Sequence, residues 1–325
     1  MSEKPLVSIC LLTYNHAPYI RRALDGFLMQ KTDYPLEIVI HDDCSTDGAQ
    51  DIIREYVAQN PSLYNAILQK ENQWSKIRDG VTELLIGAAK GKYILFCEGD
   101  DYWTDPLKLQ KQVDYMEAHP NCSMCIHAVN VVNLSGDGKG DVVKTGEKHA
   151  HRGDYTFSPA EIIGSQAGTA CTCSYCMRRE HLLSWPAFYK AADVGDYPLS
   201  VLLSLKGDVY YMDELMADYL EMHEGSWSDM MYRDDRKLLA HARSMEQMML
   251  LLEEYSGHRY TEAVEKQLLY AQYQVALLSH DYKKLTSARL RRVVREHHGL
   301  KERTKFVLKR FFPFLEGIRA RKGNV

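Results

Sequence analysis

Tyr93-Ile94-Leu95-Phe96-Cys97-Glu98-Gly99-Asp100-Asp101-Tyr102-Trp103 is the stretch whose reading decides the fold. The apolar run at its start reads as a strand buried on both faces. Three carboxylates then fall within four residues, Glu98 to Asp101. Like charges that close repel unless something positive sits between them, and hard oxygen ligands suit magnesium or manganese. An acidic turn in a solvated loop is the plainer alternative. It accounts less well for a buried strand that runs straight into the cluster, because ligands in open α/β sheets bind at the carboxyl ends of strands.

Similar strands recur on both sides, with helices between them. Residues 6–12 (Leu-Val-Ser-Ile-Cys-Leu-Leu) form a buried strand and Thr13-Tyr14-Asn15-His16 a turn. Ile20, Ala23, Leu24, Phe27 and Leu28 then share one helical face. Leu36 to Ile40 is a second strand, followed by His41-Asp42-Asp43-Cys44-Ser45-Thr46-Asp47-Gly48. Ser45, Thr46 and Asp47 are natural caps for a helix through Ile52, Ile53 and Tyr56. Tyr64 to Leu68 is a third strand, Ile77, Val81, Leu84, Leu85 and Ala88 mark a helix, and Lys92 to Cys97 is the fourth strand. This alternation predicts an α/β fold with a parallel, doubly wound sheet. Pro106 to His119 reads as a helix, Ser123 to Asn133 as a strand, Leu134 to Asp154 as a glycine-rich loop, and Ala170 to Met177 as extended. Asp196 opens a helix through Leu199, Leu202 and Leu203, Val209 to Met212 is a strand, and the pattern is helical beyond about Trp227.

The chain has 325 residues, 45% hydrophobic and 26% charged, which suits one large domain with an appendage. The start of the sequence has no basic segment leading into a long apolar run, and no window reaches about 18 uninterrupted apolar residues. A cytoplasmic location is the expectation. Among the eight cysteines, Cys122-x-x-Cys125 and Cys171-x-Cys173-x-x-Cys176 admit a thiolate zinc site. Their strand-like surroundings favour buried reduced thiols. The formal charge of −4 is unevenly spread: from Lys283 to Val325 fourteen Lys or Arg face three Glu, about +11, leaving about −15 for the rest. Such asymmetry suggests a basic tail meeting an anionic surface.

Val7 to Asn15, Ile38 to Gly48, Ala89-Lys90-Gly91-Lys92-Tyr93-Ile94 and Glu98-Gly99-Asp100-Asp101 together resemble the signature of glycosyltransferase family 2. The run from Glu98 to Val113 is similar to enzymes that build bacterial capsular, O-antigen or exopolysaccharide chains. The resemblance covers residues 5 to about 228. It implies a GT-A fold, a Rossmann-like, mostly parallel sheet flanked by helices over residues 1–228, with a helical extension over 229–325. It also implies a nucleotide-sugar donor, UDP-linked, a divalent metal (Mn2+ or Mg2+) and inversion at the anomeric carbon. Thr13, Tyr14 and Asn15 match the end of the first strand, which lines the nucleoside pocket. Asp42 and Asp43 match the acidic pair that contacts uracil and ribose. Asp100 and Asp101 match the metal and diphosphate motif, and Glu98 stands where many members have its first aspartate. Gly195-Asp196 matches a place where members often carry Glu-Asp, the second residue being the catalytic base; here the first carboxylate is missing. His223, in Tyr219 to Ser228, matches the segment that closes the donor site, as a pyrophosphate or metal contact.

Each residue has a plainer role to weigh. Asp100 and Asp101 could cap the helix after Pro106, Asp42 and Asp43 the helix before Ile52, and Asp196 its own helix. His223 could be an ordinary loop histidine. Tyr102 and Trp103 either stack on a sugar or fill the core. Lys76 and Arg78 read as a solvated face, and Arg178-Arg179 as surface charge. The tail from Arg289 to Lys322 mixes Arg and Lys with Phe306, Val307, Leu308, Phe311, Phe312, Phe314 and Leu315. It either lies on an anionic bilayer at the inner face of the plasma membrane or packs on the protein. No motif supports nucleic-acid binding. The expected activity is transfer of a sugar to a hydroxyl of a surface-glycan or lipid-linked acceptor. A non-catalytic nucleotide-sugar-binding protein on the same scaffold is the alternative.

Overall fold

The computed structural model describes residues 7–74, 80–133, 141–144, 152–165, 170–221, 231 and 234–312. The chain divides into two compact units, one of residues 1–190 and 194–226, the other of 191–193 and 227–325. Lys76, Arg78, most of the glycine-rich loop, His223, Trp227, Phe314, Leu315 and Lys322 lie outside the described residues.

The first unit is built on a ten-stranded sheet. Its first half runs β1 (Val7–Thr13), α1 (Ile20–Leu28), β2 (Leu36–Asp42), α2 (Ala49–Gln59), β3 (Tyr64–Leu68), α3 (Gly80–Ala88) and β4 (Tyr93–Glu98). These four strands are parallel, with β1 between β2 and β4 and β3 outside β2. The second half comprises β5 (Tyr102–Trp103), α4 (Lys108–Ala118), β6 (Cys122–Asn133), β7 (Asp141–Lys144), β8 (Tyr155–Phe157), α5 (Pro159–Gly164), β9 (Cys176–Arg178), α6 (Ala187–Ala191), α7 (Asp196–Ser204) and β10 (Asp208–Glu221). The strand order is β3-β2-β1-β4-β9-β6-β10-β5, with β7 on β6 and β8 on β10.

The sheet is mixed rather than wholly parallel. Strand β9 runs antiparallel to both β4 and β6, while β6 and β10 are parallel. The segment read as extended from Ala170 is instead a 3-10 turn at Thr172–Ser174 that leads into β9. The Ser174 hydroxyl donates to the Cys171 carbonyl at 2.7 Å, a local bond that competes with an extended backbone. Strand β10 runs far past Met212, with irregular register around Leu215. The polar pair Asp213-Glu214 interrupts the apolar pattern there and hides the continuation.

Helix α1 buries Ile20, Ala23, Leu24 and Phe27, as their spacing requires, but Leu28, read on the same face, is exposed at the helix's last turn. Trp103 fills the core and meets the Phe27 ring edge-on at 4.7 Å. Helix α2 is entered through Gly48 at φ 99°, with no side-chain cap. Ser45 and Thr46 are occupied elsewhere, with Asn15 and Asp42, while Asp47 accepts from Ala17 N at 2.7 Å and Ala49 N at 3.1 Å. Arg178 corrects the surface reading: it is buried, and its guanidinium donates to the carbonyls of Cys122, Met116 and His119 and to the Tyr93 hydroxyl. The Met116 and His119 carbonyls belong to the end of α4, where carbonyls are left over and a cation is favoured.

Two buried polar groups stand out in the sheet unit. At the start of the parallel strands, the Ser8 hydroxyl donates to Glu37 at 2.6 Å, Lys90 N donates to the same carboxylate at 2.6 Å, and Gly91 N donates to the Ser8 hydroxyl at 2.8 Å. The Ala89-Lys90-Gly91-Lys92-Tyr93 motif is therefore a structural clamp. Under the sheet, Lys108 is fully buried, donates to Gln112 at 2.8 Å and lies 4.0 Å from the Trp103 ring centre. Burial pushes its ammonium down to about 8.

In the second unit, helices Asp235–Tyr255 and Thr261–Leu278 are followed by shorter helices Tyr282–Leu285, Arg291–His297 and Leu300–Phe311. Tyr273, Ala276, Leu285, Leu290 and Val294 form a core there. Asp193 belongs to this unit: its carboxylate accepts from Ser244 Oγ at 2.8 Å and lies 2.7 Å from His241 Nδ1, and its N–H donates to Ser244 Oγ at 2.7 Å.

A methyl group on Gly91 would lie 2.6 Å from Ser8 N and 2.8 Å from Val7 C. Gly91→Ala is expected to lower stability by about 1–3 kcal/mol in urea unfolding; an unchanged midpoint would show that the clamp has slack. Lys108 supplies a pH prediction. Its proton is held more weakly folded, at about 8, than unfolded, at 10.5, so the unfolded state binds more protons between those values and stability gains with rising pH. Lys108→Met removes this contribution. The stability of the variant relative to wild type should therefore fall by up to about 3 kcal/mol between pH 7 and 10.5, and a pH-independent difference would contradict the burial.

Candidate active site

Three parallel strands deliver their last residues to one edge of the sheet. Thr13 is in register with Asp42, and Leu12 with Glu98. Beyond Glu98 the chain turns back tightly: Gly99 N donates to Leu12 O at 2.9 Å and Asp101 N to Glu98 O at 3.2 Å. A side chain at Gly99 would collide with Thr13 Oγ1 at 2.5 Å, so only glycine lets the turn lie this close to β1. Asp100 and Asp101 are buried in that turn. Neither caps α4, because Asp105 takes the Leu107 N–H at 2.8 Å.

The loops after β1 and β2 brace each other. Asn15 and Cys44 hold left-handed backbones at φ 56° and 69°. Asn15 N donates to Ser45 Oγ at 2.8 Å, and Asn15 Oδ1 accepts from Thr46 N at 2.8 Å. Asp42 accepts from Ser45 N at 2.9 Å, from the Ser45 hydroxyl and from Gln50 Nε2 at 2.5 Å. Asp43 accepts from the N–H groups of Gln73 at 2.6 Å and Trp74 at 3.0 Å. The acidic pair thus fixes the walls of the cleft. Tyr14 stands exposed at its rim, and the Thr13 hydroxyl is buried with no hydrogen-bond partner among the described residues.

Around the turn, carboxylates crowd. Asp101 Oδ1 accepts from Leu220 N at 3.0 Å, while Oδ2 is buried and accepts no hydrogen bond from the described N–H and O–H groups. Burial, then the charges of Asp100 and Glu98, push the Asp101 carboxyl well above the usual carboxylate range. Glu98 is pushed up to about 8 by burial, then by Asp100 and Asp196. His16 Nδ1 lies 3.6 Å from Asp100 Oδ1. Asp196 is the first residue of α7, and its charge reaches Glu98, Tyr175 and Tyr219. The fold therefore gathers Glu98, Asp100, Asp101 and Asp196. Tyr102 is half-buried, donates to Asp218 at 2.6 Å and lies under Arg22.

Sequence reasoning missed the turn Thr172–Ser174. The Thr172 side chain lies beside Glu98 and the Cys173 thiol beside Asp101. Trp103 Nε1 donates to Cys173 O at 3.0 Å and Gln112 Nε2 to Ser174 O at 2.8 Å, so the turn is pinned from below. Thr172 and Ser174, hydroxyls alternating with cysteines, were the available signal.

Among the described residues no three His, Cys, Asp or Glu side chains converge on one ion position. All eight cysteines are free thiols, and burial raises Cys97, Cys125 and Cys173 well above the ordinary thiol range, which disfavours zinc-binding thiolates. The carboxylate set suits a hard cation whose coordination is completed by oxygens from outside the protein, and Asp101 Oδ2 is an acceptor open to it.

The chain was compared with known proteins. The family model described as glycosyl transferase family 2 matches residues 8–181. An uncharacterised Mycobacterium tuberculosis protein, Rv1520, is 34% identical over 265 residues, which is 79% of this chain and 71% of that protein. The Escherichia coli UDP-Glc:alpha-D-GlcNAc-diphosphoundecaprenol beta-1,3-glucosyltransferase WfaP is 36% identical over 112 residues, 34% of this chain and 41% of that enzyme. The Bacillus subtilis protein TuaG, a putative teichuronic acid biosynthesis glycosyltransferase, is 34% identical over 113 residues, 35% of this chain and 42% of its own. The fold is shared with Staphylococcus aureus TarS, at TM-score 0.57 and 16% identity over 89% of this chain and 77% of that one. With its GT-A-like sheet and this match over more than half its length, the chain belongs to glycosyltransferase family 2.

Proposed function

We propose that the protein moves one sugar from a UDP-linked donor to a hydroxyl of a bacterial surface-glycan acceptor, in a hexosyltransferase-type reaction that inverts the anomeric carbon. The observation that carries this reading is the fourth carboxylate: Asp196 lies close enough to the strand-end cluster for its charge to raise Glu98.

Asp196 is proposed as the base that takes the acceptor's proton as the hydroxyl attacks. A carboxylate opposite the leaving group suits one inverting displacement, as in inverting glycosidases with alcohol in place of water. Thr13, Tyr14, Asn15, Asp42 and Asp43 are proposed to hold the nucleoside, with the braced loops fixing its position before the reaction begins. Asp100, Asp101 and Glu98, with His223, are proposed to hold a divalent cation, Mn2+ or Mg2+. Such a cation, when bound, supplies Lewis-acid neutralisation of the departing diphosphate. WfaP's name supports a UDP-linked donor and an acceptor carried on a lipid diphosphate, and TuaG's name supports a role in building teichuronic acid, a surface glycan. A lipid-linked acceptor would put the reaction at the inner face of the plasma membrane.

Asp196→Asn should lower transfer at least about a hundredfold and leave UDP affinity within about twofold, measured by product formation and calorimetry. Undiminished turnover would rule Asp196 out as the base. Asp101→Ala should abolish the manganese-dependent part of the thermal shift produced by UDP, since ligand bound only to the folded state raises apparent stability. If a panel of nucleotide sugars shifts the wild-type melting point but none is consumed with any acceptor, the non-catalytic binding protein replaces the enzyme.

A further inference from the structure

We propose that helix Leu300–Phe311 is an interfacial helix that seats the second unit on an anionic phospholipid surface. The proposal deepens the membrane side of the function above and rests on it for its purpose, but not on any part of the chemistry.

The helix has two unlike faces. Successive residues turn by about 100°, which puts Phe306, Lys309 and Arg310 on one side. There the Phe306 ring meets those of Tyr282 at 6.1 Å and His298 at 4.9 Å. Lys309 Nζ donates to the Tyr282 hydroxyl at 2.9 Å, and Arg310 Nη1 to Thr286 Oγ1 at 2.9 Å. The opposite side carries Leu300, Val307, Leu308 and Phe311, exposed by 74%, 45%, 45% and 65%. No residue of this helix is buried. Soluble surfaces do scatter single apolar side chains, but here they line up along one stripe facing away from the packed side. Lys301 and Lys305 flank the stripe on one side and Arg303 on the other, and Glu302, the lone acid in the helix, lies 3.5 Å from Lys305.

The charge tells which occupant fits. The neighbouring helix Arg291–His297 presents Arg291, Arg292 and Arg295 to an open cavity of about 420 Å³ completed by Ala288 and Glu296. Of these arginines, only Arg292 has an ion-pair partner among the described residues, Glu296 at 2.9 Å. A second copy of this chain would bring the same cations to the same face and repel. An apolar stripe between rows of cations matches the boundary between acyl chains and anionic headgroups, where each Lys or Arg near the surface strengthens binding about fivefold. Among the described residues no helix is long and apolar enough to cross a membrane, so the attachment is to the surface.

The test is sedimentation of the full chain with phosphatidylcholine vesicles, with and without phosphatidylglycerol, in the absence of donor and acceptor. Binding is expected only with phosphatidylglycerol and should weaken as salt rises. Leu300→Asp with Phe311→Asp should weaken it at least about tenfold with circular dichroism and melting point unchanged, since both side chains are exposed. Lys301→Glu with Lys305→Glu should weaken it similarly at low salt. Asp196→Asn should bind vesicles like wild type, which separates this proposal from the proposed chemistry. No binding, equal binding to neutral vesicles, or full binding by both double variants would overturn it. So would an aspartate variant that turns a dimer into a monomer, or retention on RNA in preference to vesicles.

Discussion

Crowded negative charge at the end of β4 is the constraint on which the site depends. Two of the three carboxylates in the Glu98–Asp101 turn are buried in the protein's interior, and Glu98 and Asp101 hold their protons far more tightly than free carboxyls do. Burial is the largest cause, followed by the neighbouring carboxylates. The Leu220 N–H donates to Asp101, and the neighbouring Thr172 and Cys173 side chains favour the charged forms of Glu98 and Asp101, which offsets only part of the rise. Carboxyls perturbed this far by burial and by one another are the kind of group that binding sites gather. The divalent ion and diphosphate proposed above would offset the charge of the turn.

The rest of unit one holds this turn in place. Gly99 lets it ride against Thr13, Trp103 anchors its far end in the core, and the Lys108–Gln112 pair links helix α4 to the carbonyl of Ser174. A buried ammonium is an expensive choice of support. It lies against the face of an indole and donates to an amide, so the charge is spread over an aromatic quadrupole and a dipole rather than met by a carboxylate. That choice leaves all the acidic groups of the turn for the cleft side.

Much of this was legible in the sequence, for identifiable reasons. Strands β1, β2 and β4 are mainly apolar runs that stop at charged or hydroxylated residues, so the strands and the polar residues at their ends could be read. The period of α1 gave its buried face. What escaped was governed by contacts distant in the chain. Strand β9 has three residues, too few for a period, and its direction is set by pairing with β4 and β6. Arg178 looked like surface charge because nothing local announces that carbonyls of α4 and the Tyr93 hydroxyl will surround it. Asp213-Glu214 concealed the second half of β10, and with it the Leu220 N–H that meets Asp101. Ser45, Thr46 and Asp47 read as caps for α2, but the side chains of Ser45 and Thr46 go to Asn15 and Asp42, and Asp47 divides its carboxylate between Ala17 N in the β1 loop and Ala49 N at the start of α2.

The short passage of Ala191–Asp193 through the helical unit makes the two units interleaved in the chain rather than sequential. The polypeptide leaves the sheet unit after Lys190, returns at Val194 and departs again after Ser226. A protease nick or an expression boundary near residue 228 therefore does not yield two whole pieces. It strips Asp193 of His241 and Ser244, and the orphaned carboxylate is left three positions ahead of Asp196.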